Sequence, residues 1–157
     1  MGEKAIEVYP EKCTGCRACE MACSFHHEGV FTLRSTRIWV VGRTEYGMAL
    51  PSLCMQCTDP PCVQVCPSDA LYRDSRTGPI LVNETLCIGC RACVTACPLG
   101  VMGFREDTGL PLKCDLCSGD PQCVKVCMPG ALQYLGWEEM GSSRRRAVMQ
   151  RLFDLPI

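Results

Sequence analysis

The sequence predicts an α+β fold of short strands and helices wrapped around cysteine loops, with one module inserted into another. Three observations carry that expectation. Sixteen cysteines in 157 residues fall into four groups of four, with none left over. Short β-prone runs recur between the groups, punctuated by Gly and Pro turns. One strand–turn–strand unit separates the second group from the third, so these two can close on each other inside a pair made by the first and fourth.

The groups are Cys13/Cys16/Cys19/Cys23, Cys54/Cys57/Cys62/Cys66, Cys87/Cys90/Cys93/Cys97 and Cys114/Cys117/Cys123/Cys127. Each has a tight front and a last Cys four positions on. This is the layout of cubane iron–sulfur ligation, in which a loop supplies three thiolates and a remote motif the fourth. The first and third groups match the C-x2-C-x2-C-x3-C motif of two-cluster bacterial ferredoxins, the first lacking only its closing Pro. A secreted disulfide scaffold is the first rival for a Cys-dense chain. Residues 1–10 (MGEKAIEVYP) hold no apolar signal core, which argues against it. Zinc is the second rival, but zinc ribbons use paired knuckles without a third Cys and a Cys-Pro.

The elements follow in order. Residues 5–9 (AIEVY) read as a half-buried strand around one charge, ended by Pro10. Residues 24–53 form the longest Cys-free stretch between groups. Within it, 36–41 (TRIWVV) and 48–53 (MALPSL) read as a hairpin, weakened by Pro51. Residues 62–66 read as a short helical turn ending near Pro67. Residues 70–72 and 80–82 are a strand pair around the Gly78-Pro79 turn, 101–104 repeats the strand after a Cys-Pro, and 131–135 (ALQYL) is the last strand. Cys loop, helix, strand and turn therefore recur as an internal repeat.

Spacing then orders the ligands. Groups two and three make an inner module; groups one and four pair across it, bringing the first and last strands together. Four [4Fe-4S] clusters are expected: Cys13, Cys16, Cys19 and Cys127; Cys23, Cys114, Cys117 and Cys123; Cys54, Cys57, Cys62 and Cys97; Cys66, Cys87, Cys90 and Cys93. Sequential pairing of groups is the open alternative. Residues 1–53 begin the outer module and carry the hairpin insert, 54–109 are the inner module, 110–137 complete the outer one, and 138–157 are a basic tail. In that tail Arg144, Arg145, Arg146 and Arg151 accompany an apolar stripe of Ala147, Val148, Leu152 and Phe153, suited to partner docking or self-association.

Phe, Trp and Tyr total only 10 residues, so the clusters are expected to serve as core and the iron-free chain to be largely unfolded. A net charge of −1 gives no case for nucleic-acid binding. No apolar run approaches the roughly 20 residues of a membrane span, so direct membrane insertion is not expected. A cytoplasmic location is expected, with export beside a signal-bearing partner left open. Arg17, Arg91, Lys113 and Lys125 are close to ligands in sequence, where a cation would favour a reduced cluster unless it points to solvent. His26 and His27 follow Cys23 and are read as ordinary hydrogen-bonding neighbours. No Ser/His/Asp set, phosphate loop or spare thiol suggests catalysis.

The stretch 54–67 (CMQCTDPPCVQVCP) and residues 113–117 (KCDLC) resemble the four-cluster ferredoxin subunits of the dimethyl-sulfoxide-reductase type. The resemblance covers about residues 5–135. It implies an electron-transfer subunit wiring a molybdenum- or tungsten-pterin catalytic subunit to a second redox subunit or carrier, and it implies the same interleaved ligation. The compact size is similar to the small subunits of bacterial tungsten-dependent aldehyde oxidoreductases. Met128-Pro129 after Cys127, in place of an immediate Pro, departs from the pattern. A freestanding polyferredoxin and an iron–sulfur maturation or sensor protein are the rival functions.

Overall fold

A computed structural model describes residues 4–43 and 47–140. Most of the basic tail, from residue 141, lies outside the described residues, and with it the docking stripe.

Strand β1 (Lys4–Val8) opens the chain and pairs antiparallel with the last strand, β8 (Leu132–Gly136), Ile6 facing Tyr134 and Val8 facing Leu132. Thus the two ends of the repeat meet. Ala5, Ile6 and Glu7 are all buried, so β1 does not show the simple alternation of a half-buried strand. The Glu7 carboxylate is satisfied by the Tyr9 hydroxyl, which donates to it at 2.9 Å.

Helix α1 (Ala18–Glu28) follows the first cysteine loop. It starts after Arg17, in the left-handed region at φ 60°, and stops where Gly29 takes φ 70° and returns its N–H to the Phe25 carbonyl at 2.8 Å. Its buried residues are Cys19, Glu20, Cys23 and Ser24, one face of the helix.

The expected hairpin is present as β2 (Ile38–Arg43) and β3 (Met48–Leu53). Pro51 sits inside it, opposite Val40. The Val40 N–H turns away from Pro51 and donates to the Glu20 carboxylate at 2.7 Å. The pair is therefore a non-hydrogen-bonded one, where proline costs the ladder nothing.

The remaining elements are α2 (Pro61–Gln64), β4 (Leu71–Arg73), β5 (Ile80–Val82), α3 (Ala92–Ala96), β6 (Gly103–Arg105), β7 (Leu110–Leu112) and α4 (Gln122–Lys125). β4 pairs with β5 and β6 with β7, each a short antiparallel ribbon. α1 packs on α4, and α2 on α3.

Two apolar clusters hold these pieces. One joins Ile6, Ile38, Leu53, Leu116 and Leu132 to Cys19, Cys23 and Cys123. The other joins Leu71, Ile80 and Met102 to Cys93. Each fully buried aliphatic side chain contributes about 1.5–3 kcal/mol. Thiols occupy places that a larger domain would fill with hydrocarbon. Trp39, on β2, lies against Gly103, on β6, so the hairpin also contacts the middle of the chain.

Candidate metal centres

The four cysteine loops share one backbone device. The residue before the second Cys of each loop is left-handed: Gly15 at φ 72°, Gln56 at 53°, Gly89 at 68° and Leu116 at 58°. Glycine takes this conformation without steric cost. Gln56 and Leu116 are held in it by burial, at 2% and 1% exposure. The turn curls each loop so that its thiols face inward. Cys54 Sγ accepts the Gln56 N–H at 3.4 Å, and Cys23 Sγ accepts the Arg37 N–H at 3.3 Å.

Each group then spans a helical turn that separates its last two thiols. Cys19 and Cys23 lie on α1, while Cys93 lies in α3 and Cys97 caps its C-terminus. Residues four apart are neighbours on one helix face, about 5–6 Å between Cβ atoms. Each such pair nonetheless faces two different cavities.

The sixteen thiols line four small cavities, four to each. Cys13, Cys16, Cys19 and Cys127 line one, with Val40, Pro51 and Leu132. Cys23, Cys114, Cys117 and Cys123 line the next, with Ile38, Leu53 and Leu116. Cys54, Cys57, Cys62 and Cys97 line the third, with Ile80, Met102 and Lys113. Cys66, Cys87, Cys90 and Cys93 line the fourth, with Leu71, Val82 and Phe104. Thiols of the first group thus line cavities with those of the fourth, and thiols of the second with those of the third.

No disulfide joins any of the sixteen cysteines, so the disulfide rival has no support. Burial pushes the Cys19 and Cys114 thiols up to about 12, and it raises Cys23, Cys62, Cys93, Cys117 and Cys123 in the same direction. Neighbouring thiols add to the rise at Cys93 and Cys123. Cys66 moves the other way. Its burial raises it, but backbone N–H groups of Leu71, Ser68 and Ala70 and the Ser68 hydroxyl outweigh that. The thiolate is the form that binds metal, so a cationic centre shared by four thiols would offset this cost of burial. Quartets of three local thiols and one remote thiol, walled by apolar side chains, fit the [4Fe-4S] cluster.

The sequence-flagged cations divide. Lys113 is buried at 4% exposure, and its Nζ lies 3.3 Å from Cys54 Sγ. Arg17 and Arg91 also line thiol cavities, but Arg17 pairs with Glu20 at 3.4 Å and Arg91 with Glu106 at 2.6 Å, while Lys125 pairs with Asp120, so each of these three charges is met by a carboxylate. Sequence reasoning missed Gln56. Its amide donates to the Cys114 carbonyl at 2.8 Å and its oxygen accepts the Ile80 N–H at 2.9 Å, stitching loops two and four together. The available signal was its place in the loop, where groups one and three carry glycine.

His27 sits beside the second cavity, its Nε2 4.0 Å from Cys117 Sγ. Its ring contacts the Arg37 guanidinium and the Asp115 carboxylate, so it is a hydrogen-bonding neighbour as expected. Burial, then the Arg37 charge, lowers its basicity. His26, His27 and Cys117 bring ligand-type atoms within 4.8 Å of one another, but Cys117 already belongs to a thiol quartet.

Paired cysteine loops, short antiparallel ribbons and apolar-walled thiol quartets define a ferredoxin-like iron–sulfur protein. The chain belongs to the 4Fe-4S dicluster domain family, whose model matches residues 45–136; a second model of the same description matches residues 12–70. With sixteen cysteines in two such domains, the chain carries four [4Fe-4S] clusters.

Among its relatives is the polyferredoxin-like subunit of an aliphatic sulfonate oxidoreductase from Pyrococcus furiosus, 46% identical over 78% of this chain and 70% of that protein. A subunit of the anaerobic dimethyl sulfoxide reductase of Haemophilus influenzae is 32% identical over 83% of this chain and 72% of that protein. Among solved structures, a polypeptide of the active-site complex BamBC of benzoyl coenzyme A reductase superposes with a TM-score of 0.51. It is 28% identical, over 94% of this chain and 89% of that one. No helix among the described residues is long and apolar enough to cross a membrane.

Proposed function

We propose that this chain is a non-catalytic electron-relay subunit serving a molybdenum- or tungsten-pterin catalytic subunit and passing electrons to a second redox subunit or carrier. The observation that carries the reading is the partition of sixteen thiols into four quartets, each built from two separate stretches of chain. Bound clusters of this type exchange single electrons over a range of about −700 to +450 mV. The chain's own residues hold them, exclude water with apolar walls and set their order. Cys13, Cys16, Cys19 and Cys127 hold the first; Cys23, Cys114, Cys117 and Cys123 the second; Cys54, Cys57, Cys62 and Cys97 the third; Cys66, Cys87, Cys90 and Cys93 the fourth.

We also infer that the modules are interleaved, with 54–109 inserted between 1–53 and 110–137. The β1–β8 pairing and the α1–α4 packing support an outer module; β4–β5 and α2–α3 support an inner one. The hairpin β6–β7, whose turn holds the 109/110 boundary, links the two. The relatives' names, subunits of a sulfonate oxidoreductase and a dimethyl sulfoxide reductase, support a catalytic partner. A cytoplasmic site of action is part of the proposal.

Anaerobic purification from the native host tests it. The expected result is about sixteen irons with matching sulfide per chain and co-elution with a larger pterin-containing subunit. Full iron with no partner favours a freestanding polyferredoxin, and zinc in place of iron removes the reading.

A further inference from the structure

Loops two and four align residue by residue: Leu53-Cys54-Met55-Gln56-Cys57 against Lys113-Cys114-Asp115-Leu116-Cys117. In both, the residue ahead of the first Cys crosses to the other loop's cavity. Leu53 lines the cavity of Cys23, Cys114, Cys117 and Cys123, and Lys113 lines that of Cys54, Cys57, Cys62 and Cys97. Two otherwise matched centres therefore face each other with different neighbours. One meets a leucine, the other an ammonium 3.3 Å from a ligand sulfur.

That ammonium is buried, and its remaining contacts are neutral: the Gln56 side-chain oxygen at 3.3 Å and the Cys114 carbonyl at 3.0 Å. No carboxylate among the described residues pairs with it. A buried charge needs a counter-charge, and only the thiolate-bound centre offers one here. The nearest cation to the opposite cavity, Arg37, is instead paired with Asp115 at 3.0 Å. We propose that Lys113 sets the step between the two facing centres, making the one held by Cys54, Cys57, Cys62 and Cys97 the easier to reduce. An electron added there is stabilised by a fixed, poorly screened positive charge. The Lys113 and Gln56 hydrogen bonds that run from the Cys114 carbonyl to Cys54 are the contact across which the two centres couple.

This rests on the quartet assignment proposed above. The test is redox titration of the full anaerobic chain, followed by electron paramagnetic resonance, for wild type, K113M and K113R. In K113M one midpoint is expected to fall by at least tenfold in its reduction equilibrium constant, which is about 59 mV for one electron. The other three midpoints stay, and K113R restores the first. Where K113M does not load full iron, K113Q, which keeps a donor toward Cys114, takes its place. Loss of a cluster in both variants would make Lys113 an assembly residue and overturn the proposal. Four centres in wild type with unmoved midpoints in K113M would sink this inference alone. Fewer than four in wild type would remove the quartet assignment, and this inference with it.

Discussion

Arg105 Nη1 donates to both carboxylate oxygens of Glu28, at 2.9 and 2.8 Å. The contact ties the last residue of α1 to the end of β6, 77 positions later. It is a partly exposed pair, so its worth is modest. Arg105→Ala is expected to lower the stability of the loaded protein by about 0.5–1 kcal/mol, read as a melting shift that shrinks at high salt. Glu28→Ala gives a smaller loss, because Arg105 keeps its pair with Asp107 at 2.8 Å, and the double variant adds little to Arg105→Ala.

The same guanidinium holds the exposed Asp107 carboxyl down to about 2, chiefly by hydrogen bonding. A depressed carboxylate contributes stability above its unfolded value of about 3.9, lost as pH falls through its folded value. Between pH 7 and about 4.5, above the range where acid strips sulfide from the clusters, the Asp107 carboxyl carbon is expected to keep its ionised shift in the wild type and to begin titrating in R105A. An unchanged shift in R105A would assign the depression to the loop backbone instead.

Glu20 is 2% exposed and accepts the Val40 N–H at 2.7 Å. Glu20→Ala leaves that buried donor unmatched and opens space between α1 and β2. A loss of about 1–3 kcal/mol in unfolding free energy is expected. Glu20→Gln keeps an acceptor and is expected to recover most of it. Equal losses in both variants would show that charge, not acceptance, is what matters at this position.

Gly103 has no room for a side chain. A Cβ there would lie 3.0 Å from the Trp39 ring and 3.1 Å from Leu112. Gly103→Ala is expected to push Trp39 aside at a cost of about 1–3 kcal/mol, visible as a shift in tryptophan fluorescence. Gly103→Ala with Trp39→Phe is expected to regain part of the loss. A silent Gly103→Ala would mean that the hairpin already yields at this contact.

Chelating the iron under anaerobic conditions is expected to unfold most of the chain. Cys19, Cys23, Cys93 and Cys123 are counted among its buried core residues, and metal binding to such a site is folding free energy. Circular dichroism before and after chelation measures it. A native-like apo spectrum would assign the core to Ile6, Ile38, Leu53, Leu71 and Ile80 alone.

Much of this fold is legible from local signals. The cysteine spacing predicts iron–sulfur clusters, and Gly78-Pro79 marks the turn between β4 and β5. Helix α1 is the main local element that sequence reading missed. It runs to Glu28, past Cys23 into the Cys-free stretch 24–53, although His26 and His27 in its last turn and Gly29 just beyond are ordinary stop signals. The cysteine pattern drew attention to loops and hid the helix carrying two of them. Pro51 weakens its strand on local grounds, yet Glu20, brought in by α1, takes the N–H that the ribbon cannot use. Lys113 stands beside Cys114 in sequence but touches the sulfur of Cys54, 59 positions earlier. Such contacts depend on how two loops face each other, which residue spacing does not encode.

The single helical turn between Cys19 and Cys23, or between Cys93 and Cys97, has an implication for damage. On the proposed ligand assignment each turn clamps two neighbouring cages, so an oxidant that breaks one cage loosens the scaffold of its twin. Decay in air is then expected to proceed by halves, with iron leaving in pairs of cubes, and any rescue system would meet a molecule missing two centres more often than one missing a single centre.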